Sequence, residues 1–191
     1  SVYLNGSFVA KSCIPAVSPG QSFDYSLKLD PSIRVTYPPY SLNTIQKGFM
    51  RKSKTQTLTQ QITIHNTKSV AIDNLIIQDH IPVSVHSTIT VKLLSPSLEA
   101  PDSRKGSKET LVNKLGVRVP APVNVGKGVF AQWDGVDNVL SEDDAGNLGK
   151  NGLLIWKCSV PPQGKVNLSL RYEVLAPVAS HIIDLFNYCP D

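Results

Sequence analysis

The sequence predicts an all-β fold: an antiparallel two-sheet sandwich, immunoglobulin-like in general architecture, with long loops. Three observations predict it. Apolar and polar residues alternate with a period of two over many short runs, the pattern of half-buried strands. Turn-forming residues separate those runs at intervals of about 8–12 residues, as in sandwiches and barrels. The chain's 14 prolines fall at the run boundaries and leave almost no uninterrupted stretch for a helix.

The elements follow in chain order. Tyr3-Leu4 and Phe8-Val9 flank Asn5-Gly6, a type I′ hairpin signal because both turn residues need positive φ. Phe23, Tyr25, Leu27 and Leu29 alternate between the turn signals Ser18-Pro19-Gly20 and Asp30-Pro31. Ile33, Val35 and Tyr37 form a further run that stops at Pro38-Pro39. Residues 57–65 are rich in Thr and Ile and read as a long strand whose apolar members are Leu58, Ile62 and Ile64. Ile89, Val91 and Leu93 alternate again. The stretches 72–77 and 153–158 are more continuously apolar, as expected of central strands covered on both faces. The clearest run places Val166, Leu168, Leu170, Tyr172 and Val174 on one face and Asn167, Ser169, Arg171 and Glu173 on the other. It is bounded by Pro161-Pro162-Gln163-Gly164 and Ala176-Pro177.

Two stretches break the rhythm. Residues 95–126 are turn-rich, with Pro96, Pro101, Pro120 and Pro122, and 108–114 within them could form a helical turn or two. Residues 135–152 carry Asp137, Glu142, Asp143 and Asp144 among glycines and read as a mobile acidic loop. Neither an internal repeat nor a linker divides the chain, so 1–191 reads as one β-sandwich domain.

Composition excludes several classes. A chain of 191 residues can bury about 70% of its unfolded surface. Hydrophobic residues at 41% and charged residues at 18% describe an ordinary globular protein. No apolar run approaches the roughly 20 residues of a membrane-spanning helix, so no membrane partner is expected. Ser1 to Gly6 show no basic and apolar regions of a signal peptide. The net charge of +4 includes two basic clusters, Lys47, Arg51, Lys52 and Lys54, then Arg104, Lys105 and Lys108. Both lie among Ser, Thr and Gly and read as solvated loops. Only Phe49 is placed to stack a base, which argues against a nucleic-acid partner. Cys13, Cys158 and Cys189 cannot all pair within one chain, and their spacing fits neither a metal set nor a disulfide framework. Reduced thiols in a cytoplasmic protein are expected.

The search for chemistry assigns no catalytic, cofactor-binding or metal-ligating residue and no cofactor. Asp79, His80 and His86 are the nearest approach to a ligand set. Residues six apart on an extended chain lie about 20 Å apart, and no third ligand converges with the histidines. Asp79 is expected to cap the turn at Pro82, with both histidines exposed. Asp134, Asp137, Glu142, Asp143 and Asp144 do not follow calcium-loop spacing. Cys13 and Cys158 are candidate nucleophiles, with His65, His80, His86 and His181 as bases, but none sits in a nucleophile-elbow signature. Trp156 lies in an apolar run and reads as core. Trp133 borders Asp134-Gly135 and could offer a ring face to a sugar.

One resemblance adds to this reading. Pro19-Gly20-Gln21-Ser22-Phe23 followed by Asp30-Pro31-Ser32-Ile33-Arg34-Val35 resembles the C-terminal domain of mucoidy-inhibitor-A-like proteins. So do Ile64-His65-Asn66-Thr67-Lys68, Asp79-His80-Ile81-Pro82-Val83-Ser84, the spaced Trp133 and Trp156, and Tyr172-Glu173-Val174-Leu175-Ala176-Pro177. The order of these segments carries the likeness, which is greatest to the fungal branch. The family tends to carry an acid after Pro82-Val83-Ser84, where this chain has Val85-His86. The resemblance implies a domain of unknown function that follows an N-terminal domain and a coiled coil in a larger, self-associating protein. It also implies that Ser1 begins within the domain, making the chain a C-terminal fragment whose hairpin at 3–9 is an open edge. The functional expectation is therefore a non-catalytic module for protein–protein interaction or assembly, bound to the upstream part of its protein, another protein or itself. The alternative is a carbohydrate-binding or hydrolytic domain that uses the loops around Trp133 and the acidic segment 134–144.

Overall fold

A computed structural model describes residues 2–4, 6–11, 13, 16–22, 29–47, 53–99 and 110–178. In chain order the strands are β1 (Val2–Leu4), β2 (Ser7–Ala10), β3 (Ile33–Thr36), β4 (Ser41–Lys47), β5 (Ser53–Asn66), β6 (Ile72–His80) and β7 (Thr90–Ser95). They continue as β8 (Thr110–Val112), β9 (Arg118–Pro120), β10 (Val123–Gly126), β11 (Val129–Trp133), β12 (Leu153–Val160) and β13 (Lys165–Pro177). The helical content of the described residues is a 3₁₀ turn at Val136–Asn138 and the single turn α1 at Glu142–Ala145. No helix among them is long and apolar enough to cross a membrane.

These strands form an antiparallel β-sandwich. β13 runs along the whole of β5, from Lys165 opposite His65 to Pro177 opposite Ser53, and β7 flanks the far side of β13. On the other side of β5, β3 pairs with 63–66 and β4 with 53–59. β3 and β4 act as one edge strand broken at Tyr37-Pro38-Pro39-Tyr40, because proline has no N–H to give to a ladder. The Gln60 amide fills the gap, its Nε2 donating to the Pro38 carbonyl at 2.8 Å. The facing sheet has the order β10-β11-β12-β6.

Alternation decides which side chains meet between the sheets. Leu58, Ile62 and Ile64 of β5 and Leu168, Leu170, Tyr172 and Val174 of β13 are buried on the inner face of the larger sheet. Ala131, Leu154, Trp156, Cys158 and Val160 are buried on the smaller sheet, and all these residues belong to one core. Burying a large aliphatic or aromatic side chain stabilises by about 1.5–3 kcal/mol, so this face dominates the fold's favourable energy. Burial also pushes the Cys158 thiol up to about 11, which makes it a packing residue and a poor nucleophile.

One end of the sandwich is tied by a polar knot. Asn66, fully buried at the end of β5, donates from Nδ2 to the Val70 carbonyl at 2.8 Å and the Pro161 carbonyl at 3.0 Å. Its Oδ1 accepts from the Lys68 N–H at 2.9 Å. One amide thus joins the β5–β6 turn to the β12–β13 turn. Nearby, Lys68 Nζ meets Asp30 Oδ2 at 2.6 Å, and the Ser32 hydroxyl and N–H both donate to Asp30 Oδ1. The lysine first, then the serine bonds, hold the Asp30 carboxyl down at about 2.

Several expectations change. Residues 72–77 lie in β6, which is an edge strand, and Ile76 on its outer face is 58% exposed. Within 108–114, Thr110–Val112 form strand β8 paired with β9 instead of a helical turn. The stretch 135–152 is anchored, since Val136, Val139 and Leu148 are buried in the core and Ser141 caps α1 by accepting from the Asp144 N–H. Apolar residues spaced among the acids carry that anchoring. Lys47 and Lys54 belong to the paired strands β4 and β5, not to a loop. The Tyr3–Phe8 hairpin forms as expected, with the two rings edge to face at 5.8 Å. The run 23–28, Phe49, Arg51, Lys52, Arg104, Lys105, Lys108, His181 and Cys189 lie outside the described residues.

Replacing Asn66 by Ala removes its amide's bonds to the Val70 and Pro161 carbonyls and to the Lys68 N–H, and should cost about 2–3 kcal/mol in a denaturant titration without changing the fold seen by circular dichroism. The Asp30 carboxyl is lowered on folding, so its stabilisation is present above 3.8 and is lost as pH falls from there toward about 2. Asp30→Asn should accordingly lower the melting temperature at neutral pH, with the gap to the unaltered chain closing over that acid window.

Candidate functional site

The acidic segment and Trp133 do not assemble into one centre. Trp133, at the end of β11, is 4% exposed, and its indole N–H donates to the Glu99 carbonyl at 2.8 Å. Gly149 lies against the ring, where a Cβ would come within 2.7 Å of the indole carbons. The indole is therefore a packing element and not an open platform for a sugar. A shallow groove of about 430 Å³ does run past it, between Ser97, Leu98 and Glu99 on one side and Pro120 to Asn124 on the other. The acids already hold local donors. Asp134 accepts from Gln78 at 3.3 Å, and Asp144 accepts from the Ser141 hydroxyl at 2.8 Å. Asp137 accepts from Lys157 Nζ at 2.7 Å and Gln132 Nε2 at 3.1 Å, and the lysine chiefly pulls its carboxyl below the usual range.

Asp79 is a different case. The phase of β6 carries Leu75, Ile77 and Asp79 inward, so the strand points a carboxyl where its neighbours point alkyl groups. The expectation that Asp79 caps the turn at Pro82 is corrected for this reason: β6 stays paired with β12 through Asp79 and His80, opposite Leu154 and Leu153. Asp79 Oδ1 accepts from the His80 N–H at 2.8 Å, while Oδ2 is buried with no hydrogen-bond partner. Burial pushes the carboxyl up, with the His80 N–H bond opposing it. His80 itself is exposed and its Nε2 lies 3.1 Å from the Asn151 carbonyl. His86 is exposed in a turn held by Ser84. Among the described residues no three of His, Cys, Asp or Glu gather as a metal-ligand group.

Asp79 acts on two phenols. Its charge reaches Tyr37 on the edge and Tyr172 of β13, raising both hydroxyls after the larger effect of burial. Tyr172 is driven up to about 12, and Tyr40 contributes to that rise. Register explains the meeting. Leu42, Leu58 and Tyr172 lie side by side across β4, β5 and β13, so they share the inner face. Val35 stands opposite the buried Ile64 on that same face. Yet along this edge Val35, Tyr37, Tyr40 and Leu42 are 41%, 57%, 52% and 45% exposed. Among the described residues, the mouth between the β3–β4 edge and β6 has an apolar and aromatic rim that is about half exposed, while the Asp79 carboxyl behind it keeps Oδ2 buried and acts on Tyr37 and Tyr172 through its charge.

Reading the sequence alone missed this site. The signal was present in the order Leu75, Ile77, Asp79, Ile81, where an acid occupies an inward phase, and in the tyrosines on either side of Pro38-Pro39.

A carboxyl raised on folding costs stability at pH values above its folded pKa, and the cost disappears below 3.8, where folded and unfolded chains are both protonated. Asp79→Asn should therefore raise the melting temperature at neutral pH, by a stabilisation on the order of 1 kcal/mol, and the gain should vanish in acid. Calorimetry at both pH values checks the sign.

Comparison with known proteins places this architecture. The family described as "Domain of unknown function (DUF4139)" matches residues 29–178. Protein F37C4.5 of Caenorhabditis elegans is 31% identical over 112 residues, which cover 59% of this chain and 20% of that protein. The chain thus spans about a fifth of the length of this curated relative. No solved structure matches the chain. The matched residues run through every strand from β3 to β13, the tied end and the open mouth included, and the chain belongs to the DUF4139 family of domains of unknown function.

Proposed function

We propose that this chain is a non-catalytic β-sandwich module that docks a polypeptide segment along its β3–β4 edge, as the C-terminal part of a larger mucoidy-inhibitor-like protein of the cytoplasm. The observation that carries the reading is the run of exposed apolar residues from Val35 to Leu42 at the open mouth. Soluble monomers seldom leave such contiguous patches bare, and those they leave mark interaction surfaces. An edge strand adds main-chain hydrogen bonding to the apolar contact, which suits an extended or helical segment laid beside it. The occupant is another segment of the same longer protein, in keeping with a relative about five-fold longer than the matched stretch. The kinship to mucoidy-inhibitor-A-like proteins and their fungal branch rests on the ordered segments of the sequence. The carbohydrate reading has less support, since the ring it needs at Trp133 is packed under Gly149.

Hydrogen exchange tests the proposal. In the longer protein, amides of residues 35–45 should exchange at least about tenfold more slowly than in the 191-residue chain, and Val35→Asp with Leu42→Asp should abolish the difference while leaving β12 and β13 protected. Equal exchange in both proteins would overturn the reading. Slowing that grows with the concentration of the 191-residue chain alone would instead assign the surface to a second copy.

A further inference from the structure

The open mouth holds a group that the docking surface alone does not explain. A buried carboxylate oxygen without a hydrogen-bond donor is costly, and folded proteins rarely keep one. Asp79 Oδ2 is such a group, and the charge that reaches Asp79 from the described residues is that of the outward-facing His80. Packing needs no acid at this position, because the inward neighbours Leu75 and Ile77 on β6 are apolar.

We propose that Asp79, through its buried and unpartnered Oδ2, receives the ammonium or guanidinium head of a lysine or arginine side chain carried by the docked polypeptide. This rests on the reading of the β3–β4 edge as a docking surface. Three properties of the mouth fit such a guest. The carboxylate offers Oδ2 for a charge-assisted hydrogen bond, the kind that is strong enough to repay desolvation. Tyrosine rings attract a cation over their faces, and Tyr37 and Tyr40 are more than half exposed and so leave ring surface to give. Both flank Pro38-Pro39, the stretch of the edge outside the β5 ladder, so their side chains can part around an entering head group. The aliphatic stem of the guest would lie along Val35 and Leu42, as long basic side chains do on apolar surface.

The test has two arms. In the first, n-butylammonium or ethylguanidinium chloride is titrated into the chain at constant ionic strength, and the Asp79 carboxyl carbon is followed by NMR against pH. The carboxyl midpoint should fall by about one pH unit, as an opposite charge at contact distance requires, with movement of the Tyr37 and Tyr172 ring signals. Sodium chloride should do neither, and Asp79→Asn should remove the ring response. No difference between the organic cation and sodium overturns the proposal. In the second arm, Asp79→Asn in the longer protein should relax the slowed exchange at 35–45 by about tenfold, the scale of one desolvated charge pair, while Asp79→Glu should keep part of it. If Val35→Asp with Leu42→Asp abolishes the slowing and Asp79→Asn leaves it intact, the docking surface stands and the cation site is overturned. If neither variant changes exchange, the docking reading itself has failed and the partner-borne cation falls with it.

Discussion

The pairing of β13 with β5 is the constraint on which the rest of the molecule depends. Every residue of β13 stands opposite one of β5, and the shared register puts the even-numbered residues of both strands on the inner face. A slip of one residue would turn Ile62, Ile64, Leu168 and Leu170 toward solvent together, so the register is held by the whole apolar face and not by any turn. The consequence extends sideways. Because β4 and β3 pair with the far side of β5, their own inward residues inherit the same phase, and Leu42 is lined up with Leu58 and Tyr172. The apolar character of the open edge is thus imposed by a ladder two strands away.

The two ends of the sandwich differ in how their polar groups are satisfied. At the end where β5 finishes and β13 begins, Asn66 spends its amide on two turns, the Thr67 N–H and hydroxyl both donate to the Ser32 carbonyl, and Asp30 meets Lys68. Each of these groups has a partner in the fold. Farther along the strands, near Tyr172, β6 brings in Asp79 with one oxygen unmatched. Networks that are complete rigidify, and groups left incomplete are where a fold departs from its own stability. The first arrangement accounts for how the sheets are held in place. The second marks where the fold leaves a buried polar atom unmatched.

Much of this was legible in the sequence, and the reasons for the rest are physical. β5 and β13 were readable because alternation over many residues leaves little else that the segment can be. The β1–β2 hairpin was readable because its turn needs a positive φ, which Gly6 supplies at 79°. The edge position of β6 was not, since an apolar run reports burial of side chains and says nothing of how many strands flank it. Thr110–Val112 was misread because three residues carry too little periodicity to separate strand from helix. In 135–152 the acids drew attention away from Val136, Val139 and Leu148, whose spacing matches neither period and only the folded path brings them to one core.

Asp79 is the instructive failure. Beside Pro82, an aspartate reads as a turn residue, and local chemistry favours that role. The strand overrides it, since pairing with β12 through His80 fixes the side-chain phase before the turn begins. A chain selected only for stability would put a leucine there, in step with Leu75 and Ile77. Exposed apolar residues on Val35 to Leu42 break the complementary rule, that such groups belong inside. Each departure alone is a small defect, but the two are linked, since the charge of Asp79 reaches Tyr37 on that edge. An unpaired acid within an uncovered apolar rim is a poor surface for water and a good one for a long side chain with a charged tip. Local rules that fail together in complementary senses are what motivates placing the proposed docking site here, since sequences depart from local consistency chiefly at functional or strained positions.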